Sequence, residues 1–193
     1  MKTILFSGFT WYIKSGLGKG PGGNNWHEHN VYVDSSGYLH LRIIKIDGLW
    51  YCAEIFSKDI AKSGNYTFYL ASNVEKLDRN MVVGLFLYEN DHKEIDIEFF
   101  NGESFYCVQP NDFHTFRCNL NGSHSSHSLD FLPTVSFRSF HGHSEDYPIE
   151  EWTSKSGSSH NLPNAHLHIN FWLKDGAPPE NGAEIIIEKV VFK

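Results

Sequence analysis

The chain has 193 residues, a length that fits one domain with a full hydrophobic core, and we expect residues 1–193 to form a single domain. Hydrophobic residues make up 40% of the sequence and charged residues 20%, which excludes a disordered chain. The net charge of −7 supplies no basic surface for a phosphate backbone, and no apolar run approaches the ~20 residues that cross a bilayer. We therefore expect neither a nucleic-acid partner nor a membrane partner.

Short β-branched and aromatic runs, separated by turn pairs such as Asp47-Gly48 and Asn101-Gly102, recur about every ten residues. Before them, residues 1–6 do not fit a signal-peptide core, and the glycine-rich segment 16–23 is predicted to be a flexible entry segment. Only residues 74–80 read as a helical turn. The pattern predicts an antiparallel β-sandwich or barrel. The predicted strands are residues 30–34, 38–46, 49–56, 66–71, 82–88, 94–100, 104–109, 114–118, 126–131, 135–141, 166–173 and 184–192.

Three cysteines, Cys52, Cys107 and Cys118, cannot all pair within the chain, and they lack C-x-x-C spacing. We expect free, packed thiols, although the sequence also allows one disulfide. Three H-x-H pairs could each place two imidazoles on one strand face, as a metal site needs. Two of these pairs lie among Gly, Asn and Ser residues typical of solvated loops, so we expect no metal site.

Two predicted strands carry aromatic and polar side chains on the same face. Phe86 shares a face with Tyr88, and His168 shares one with Asn170 and Trp172, because side chains alternate along a strand. Rings beside polar groups suit a groove for a flat, hydroxylated ligand better than they suit a dry core.

The most informative segment is an acidic strand. Period two places Glu94, Asp96 and Glu98 on one face, with Ile95 and Ile97 on the core face. Three like charges on one strand face are costly, and neighbouring carboxylates raise one another's pKa. A carboxylate that attacks and a carboxylic acid that donates a proton are what glycoside hydrolysis requires. A solvated acidic edge strand or a calcium site would give the same bare pattern.

The segment Glu94-Ile95-Asp96-Ile97-Glu98 resembles the signature of glycoside hydrolase family 16, the laminarinase and lichenase group. The similarity extends over segments 53–58 and 64–68, the aromatic strand 83–88, segment 131–133, which the family usually writes Trp-x-Pro, the Asn-x-Trp strand 168–172 and the closing strand 184–192. It covers the chain from about residue 26 to the C-terminus. The resemblance implies a concanavalin A-like jelly-roll β-sandwich of two curved antiparallel sheets.

The resemblance also implies a retaining mechanism. Glu94 would be the nucleophile, Glu98 the general acid and then the general base, and Asp96 would hydrogen-bond the nucleophile. Residues i and i+4 of a flat strand lie about 13 Å apart at Cα, whereas retaining carboxyls lie about 5 to 5.5 Å apart. The mechanism therefore requires a curved sheet on which the two side chains lean together.

Other positions match the family's substrate cleft one residue at a time. Glu54 resembles a residue that binds sugar hydroxyls, and the aromatic and Asn-x-Trp strands resemble the two walls of the cleft. Gln109 matches a polar cleft residue, and His168 borders the groove by its position on the strand. The expected substrate-binding residues are Glu54, Phe86, Tyr88, Gln109, His168, Asn170 and Trp172.

Three positions depart from the lichenase pattern. Phe56 stands where lichenases have Arg, His92 where they have Trp, and Phe131 where the Trp-x-Pro segment has its Trp. These departures leave the acidic triplet intact and leave the glycan linkage open.

The sequence thus predicts a retaining endo-β-glycan hydrolase, with a β-glucan as the first candidate substrate. The alternatives are a lectin-like glycan-binding module and a transglycosylase with the same site. We expect a polysaccharide or oligosaccharide partner, a monomer and no required cofactor. A structural calcium ion is not readable from the sequence. The resemblance implies an extracellular protein, although this chain shows no export signal.

Overall fold

The computed structural model describes residues 1–117, 119–131, 134–155 and 161–193. Short 3₁₀ turns occupy Glu28–Asn30, Val74–Lys76 and Lys174–Gly176. In chain order the strands are β1 (Thr3–Phe6), β2 (Phe9–Ile13), β3 (Gly16–Lys19), β4 (Asn24–Trp26), β5 (Val31–Val33), β6 (Leu39–Ile46), β7 (Leu49–Tyr51), β8 (Ala53–Ile60), β9 (Gly64–Leu70), β10 (Met81–Asn90), β11 (Lys93–Phe100), β12 (Glu103–Val108), β13 (Asp112–Phe116), β14 (Ser125–Phe131), β15 (Val135–His141), β16 (Pro148–Thr153), β17 (His166–Leu173) and β18 (Ala183–Phe192).

Two large antiparallel sheets make up the sandwich. The first, which we call the site sheet, has the strand order β1-β2-β8-β17-β10-β11-β12-β13. The second, the back sheet, has the order β16-β15-β14-β9-β18-β6-β5, with β7 paired to β6. This arrangement confirms the predicted jelly-roll β-sandwich. No helix among the described residues has the length and apolar character needed to cross a membrane.

The core lies between the two sheets and takes alternate residues of each strand. On β11 the side chains of Ile95, Ile97 and Phe99 face the core and are 0 to 2% exposed. The back sheet contributes residues such as Leu129 and Phe137, which are fully buried. Because the side chains alternate, the acidic residues of β11 must lie on the opposite, outer face of the site sheet.

A two-residue turn sets the register of the acidic strand against its neighbour. Asn101 and Gly102 both have positive φ, at 53° and 75°, as the tight turn of a two-residue hairpin requires. The turn joins β11 to β12 and places Asp96 directly opposite Cys107. Register shifts in the pairings of β10 with β11, β15 with β16, β17 with β8 and β18 with β9 add the local bends that curve such sheets.

The N-terminal part of the chain differs from its sequence-based prediction. Segment 16–23 is predicted to be a flexible entry segment, but β3 pairs with β4 there. Strands β1, β2 and β16 were not predicted, because their short runs give too few alternations to detect. The predicted helical turn at 74–80 is reduced to the 3₁₀ turn Val74–Lys76. The predicted strand 49–56 is split at Cys52, which forms a bridge with Trp26.

Candidate functional site

A groove of about 610 Å³ lies on the outer face of the site sheet. Its floor consists of rows of cross-strand neighbours that run across the strands. One row joins Glu98 on β11, Gly84 on β10, Asn170 on β17 and Glu54 on β8. The next row joins Asp96, Phe86, His168 and Phe56 in the same strand order.

The groove gathers side chains from strands that are distant in sequence, among them β8, β11 and β17. Every catalytic and substrate-binding residue named from the sequence lines it, and their chemical roles stay predictions. These residues are Glu54, Phe86, Tyr88, Glu94, Asp96, Glu98, Gln109, His168, Asn170 and Trp172.

The three carboxyl groups of β11 all have pKa values raised above their ordinary range. Burial raises the pKa of Glu94 to about 7, with further contributions from the charges of Glu98 and Asp91. Burial also raises the pKa of Asp96, and the charges of Glu98 and Glu94 add to that effect. Burial raises the pKa of Glu98, whereas the nearby Lys174 opposes the shift. The triplet therefore holds protons near neutral pH that isolated carboxylates would have lost.

A wall of stacked rings continues from the acids across β10 and β17. The imidazole of His168 stacks on Phe86 at 4.8 Å on one side and on Phe56 at 5.3 Å on the other. Tyr88 contacts the same imidazole edge-on at 5.7 Å, and its hydroxyl donates to Asp91 Oδ1 at 2.8 Å. The rings place apolar side chains next to the carboxyl groups, a combination suited to a sugar ligand.

Glu54 is buried and carries two strong partners. Its Oε2 accepts from Lys14 Nζ at 2.6 Å, and its Oε1 lies 3.0 Å from His168 Nδ1. Lichenases have Arg at the position of Phe56, and here the cation beside Glu54 is Lys14 from the segment that follows β2. Phe56 instead stacks on His168.

Two polar atoms at the far wall have no hydrogen-bond partner among the described residues. They are Asn170 Oδ1 and Trp172 Nε1, and both atoms are buried. Buried polar groups are normally paired, so an unpaired acceptor and an unpaired donor at a groove are suited to a hydroxylated ligand.

Gly84 provides the space that the Asn170 amide occupies. A Cβ built on Gly84 would lie 2.5 Å from Asn170 Oδ1, far inside van der Waals contact. We expect Gly84→Ala to displace the amide and to lower the affinity for a groove ligand at least tenfold, at a stability cost of about 1 to 3 kcal/mol. Calorimetric titration and urea unfolding measure the two effects.

The double variant Gly84→Ala/Asn170→Ala is the control for the Gly84 prediction. It removes the clash, so it should recover stability without recovering affinity. Wild-type affinity in the single variant would show that the Asn170 amide makes no contribution to binding.

Sequence reasoning missed three residues of this region. Lys14 and Cys107 line the groove, and Cys107 lies opposite Asp96. Phe113 on the edge strand β13 lies opposite Cys107 and is 70% exposed. The turn at Asn101-Gly102 was the available signal for Cys107, because a two-residue hairpin fixes which residues face one another.

The thiols that the structure describes are free. Cys52 is fully buried and Cys107 is partly exposed in the groove. Burial raises the pKa of the Cys107 thiol, and the charge of Asp96 raises it further, so the group is a neutral thiol. Cys118 and the Leu132-Pro133 pair of the Trp-x-Pro-like segment lie outside the described residues. The described residues contain no cluster of three or more His, Cys, Asp or Glu side chains arranged for a metal ion.

No family model and no curated protein sequence matches the chain. Solved structures do match. A β-glucanase from Bacillus licheniformis has a TM-score of 0.72 at 16% identity, over 95% of this chain and 91% of that one. A Bacteroides ovatus family 16 enzyme of a mixed-linkage glucan locus, in complex with a G4G4G3G product, has a TM-score of 0.73 at 12% identity, over 95% and 94%.

A β-1,3-glucanase from Mycobacterium marinum also matches, with a TM-score of 0.70 at 16% identity, over 94% of this chain and 90% of that one. The similarity spans nearly the whole of each chain, and it agrees with the strand order of the sandwich described above. The chain therefore has the fold of the glycoside hydrolase family 16 β-glucanases.

Proposed function

We propose that this protein is a retaining endo-β-glycan hydrolase that acts on a neutral glycan, with β-glucan as the first candidate. The single observation that carries the proposal is the row of three carboxyl groups with raised pKa values, held against a wall of rings. A groove that only bound a glycan would need the rings and would not need three adjacent acids.

The proposed roles follow from the chemistry of the triplet. Glu94 attacks the anomeric carbon to form a glycosyl-enzyme intermediate, while Glu98 protonates the leaving oxygen and later activates water. Asp96 lies between them on the strand, and the charges of Glu98 and Glu94 both raise its pKa, so the protonation of one group affects the others. A triplet that keeps protons near pH 7 contains an acid and a nucleophile at the same time.

The charge of the groove supports a neutral substrate. Five acidic side chains line it against two lysines, so even with the triplet protonated the lining side chains carry no net positive charge to bind an anionic glycan. One of those lysines, Lys14, is already paired with Glu54. The acidic side chains are Glu54, Asp91, Glu94, Asp96 and Glu98.

The test is product release from laminarin, mixed-linkage glucan, galactan and xyloglucan, each compared with a carboxymethylated form of the same polymer. We expect release from at least one neutral polymer and little from its carboxymethylated form. Proton NMR of the first products should show the β-anomer, as retention requires. Binding without release would support the lectin-like alternative, and formation of longer oligosaccharides would support transglycosylation.

Trp172→Ala should weaken oligosaccharide binding by about 1 to 3 kcal/mol, a roughly 5- to 150-fold increase in Kd, by analogy with base stacking on aromatic side chains. Trp172 lines the groove while packing partly against the core. Isothermal titration with an oligosaccharide product of the wild-type protein measures the change. Trp50→Ala is the matched control, because Trp50 is also partly buried and lies on β7 of the back sheet. Equal affinities in the two variants would assign Trp172 to the core alone.

A further inference from the structure

The groove contains a charged chain of three residues that the hydrolytic roles above do not use. Lys14 Nζ lies 2.6 Å from Glu54 Oε2, and Glu54 Oε1 lies 3.0 Å from His168 Nδ1. The carboxyl group of Glu54 is 4% exposed and joins a cation on one oxygen to an imidazole on the other. Both contacts join residues that are distant in the sequence, because 40 residues separate Lys14 from Glu54 and 114 separate Glu54 from His168.

Lys14 is held in place by several contacts at once. Its backbone N–H donates to Glu54 O at 3.0 Å, and its ammonium group also donates to Gly20 O at 2.7 Å. The ammonium lies 4.2 Å from the centre of the Trp26 ring. These contacts fix the cation on the far side of Glu54 from the imidazole.

The imidazole of His168 is fixed as firmly. Phe56 and Phe86 stack on its two faces, and its side chain is 12% exposed at the groove. With Nδ1 bonded to a carboxylate, the ring keeps its proton on Nδ1 as long as it stays neutral, and Nε2 becomes the acceptor. A neutral acceptor of this kind suits a sugar hydroxyl, which can donate to it.

We propose that Lys14 is a positioning residue that acts through Glu54, keeping His168 neutral with its proton on Nδ1, so that Nε2 accepts a hydrogen bond from a hydroxyl of the glycan. The inference rests on the proposed function for the identity of the ligand. The charge state and the tautomer of His168 do not depend on that function.

The charges around His168 oppose one another. Burial lowers the pKa of His168, Glu54 raises it by hydrogen bonding and by charge, and Lys14 and His166 lower it. Without Lys14, the imidazole would be the remaining close cationic partner of the Glu54 carboxylate among the described residues, and proton uptake by His168 would be favoured. On the groove face, Tyr88 of the adjacent strand β10 contacts the imidazole, and Glu94 and Asp96 lie one strand further away on β11. The adjacent strands also carry Lys58 and Asp59 on β8 and Glu89 on β10.

The test follows the His168 imidazole nitrogens by NMR across pH 5 to 8, with the signal assigned by a His168→Gln variant. The wild type should show a neutral Nδ1–H ring over most of this range. Lys14→Met should raise the His168 midpoint by at least one pH unit. An unchanged midpoint and tautomer in Lys14→Met would overturn the proposal, as would proton uptake by Glu54 in place of His168.

Two further variants keep the test decisive if Lys14→Met folds poorly. Lys14→Met/Glu54→Gln removes both charges, so its His168 midpoint should return to the wild-type value or below it. Lys19→Met is the matched control. Lys19 also lines the groove, but its ammonium donates to Ser15 O at 2.6 Å, and among the described residues it forms no hydrogen bond or ion pair with Glu54. A midpoint that rises equally in Lys19→Met would indicate a general charge effect and would contradict the proposal.

Steady-state kinetics test whether the charge state of His168 affects glycan binding. In Lys14→Met, KM should rise several-fold as the pH falls from 8 to 6, because a protonated His168 no longer accepts the hydroxyl. The pH dependence of kcat, which the triplet sets, should match that of the wild type. The wild-type KM should be nearly flat over the same range. If the wild type hydrolyses no glycan, the proposed function fails, and the NMR comparison still decides the role of Lys14.

Discussion

Glu94→Gln should reduce turnover of the preferred glycan by a factor of about 10³ or more and leave glycan affinity within a few-fold of the wild type. The amide has nearly the shape of the carboxyl group but cannot attack the anomeric carbon. Burial raises the pKa of Glu94 to about 7, so the wild-type group already spends part of its time uncharged. The groove should therefore accept the neutral amide without rearranging, and reducing-end release and calorimetric titration measure the two effects separately.

Glu103→Gln is the matched control for Glu94→Gln. Glu103 lies at the start of β12 and pairs with Phe100 of β11. Phe100 is four residues beyond Asp96 on that strand. The Glu103→Gln variant lacks one carboxylate of the same hairpin but keeps the triplet, so its turnover should equal that of the wild type. Full activity in Glu94→Gln would exclude Glu94 as the nucleophile.

The acid and the nucleophile can be separated with a second substitution. Glu98→Gln removes the proton donor, so polysaccharide hydrolysis should fall steeply. An aryl glycoside with a good leaving group needs little protonation, so its first step should be nearly normal in Glu98→Gln and absent in Glu94→Gln. This contrast assigns the two roles independently of how the three protons are shared.

Local sequence patterns predicted most strands of the fold and most residues of the site. Period two predicted that Glu94, Asp96 and Glu98 share a face, and the structure places all three in the groove. The same rule predicted the face shared by Asn170 and Trp172. These predictions depend only on side-chain alternation along one strand, which sequence records directly.

Contacts that depend on strand order could not be read in the same way. Lys14 reaches Glu54 because β2 pairs with β8, and no local pattern specifies that pairing. Gly84 matters because it lies between Glu98 and Asn170, on strands adjacent to its own. Non-local neighbours of this kind require the sheet topology, which periodicity does not encode.

Apart from the groups of the groove, the histidine His127 is buried deep in the sandwich, on the core side of the back sheet. His127 on β14 is fully buried, and its Nδ1 and Nε2 lie 2.7 Å and 2.8 Å from the hydroxyls of Ser139 and Ser125. The Ser139 hydroxyl also lies 2.6 Å from that of Tyr106 on the site sheet, and Phe99 contacts the imidazole edge-on at 4.7 Å. These partners are hydroxyls and a ring, which satisfy a neutral imidazole but supply no negative charge for a protonated one.

His127 should make the fold sensitive to acid. Burial lowers the pKa of His127 to about 3, whereas an unfolded histidine titrates near 6.5. The unfolded state therefore binds a proton first, so the stabilising effect of the neutral histidine is complete above pH 6.5 and is lost as the pH falls toward 3. The expected slope is about 1.4 kcal/mol of unfolding free energy per pH unit, or roughly 3 kcal/mol between pH 6.5 and 4.

The carboxyl groups of the groove act with the opposite sign. Because the pKa of Glu94 is raised, the folded state binds the proton more tightly than the unfolded state, and this group adds stability as the pH falls from 7 to 4.5. Comparing two proteins that both contain the triplet cancels this effect. Urea unfolding at pH 7, 6, 5 and 4 gives the unfolding free energy of the wild type and of His127→Gln. The difference between the two free energies should change with pH at the slope that corresponds to one proton taken up on unfolding.

His127→Gln is expected to be less stable than the wild type at pH 7, where the neutral imidazole and its two serine partners are intact, and to close that gap as the pH falls. His124→Gln is the matched control, because His124 is an exposed histidine immediately before β14 and its loss should leave the pH dependence unchanged. Parallel curves for the wild type and His127→Gln would mean that His127 takes up its proton as easily in the folded protein as in the unfolded chain. A protonated imidazole could be accommodated at this buried position only if the sandwich opened around β14 to admit water or an anion. Parallel curves would therefore also show that this part of the core is not dry.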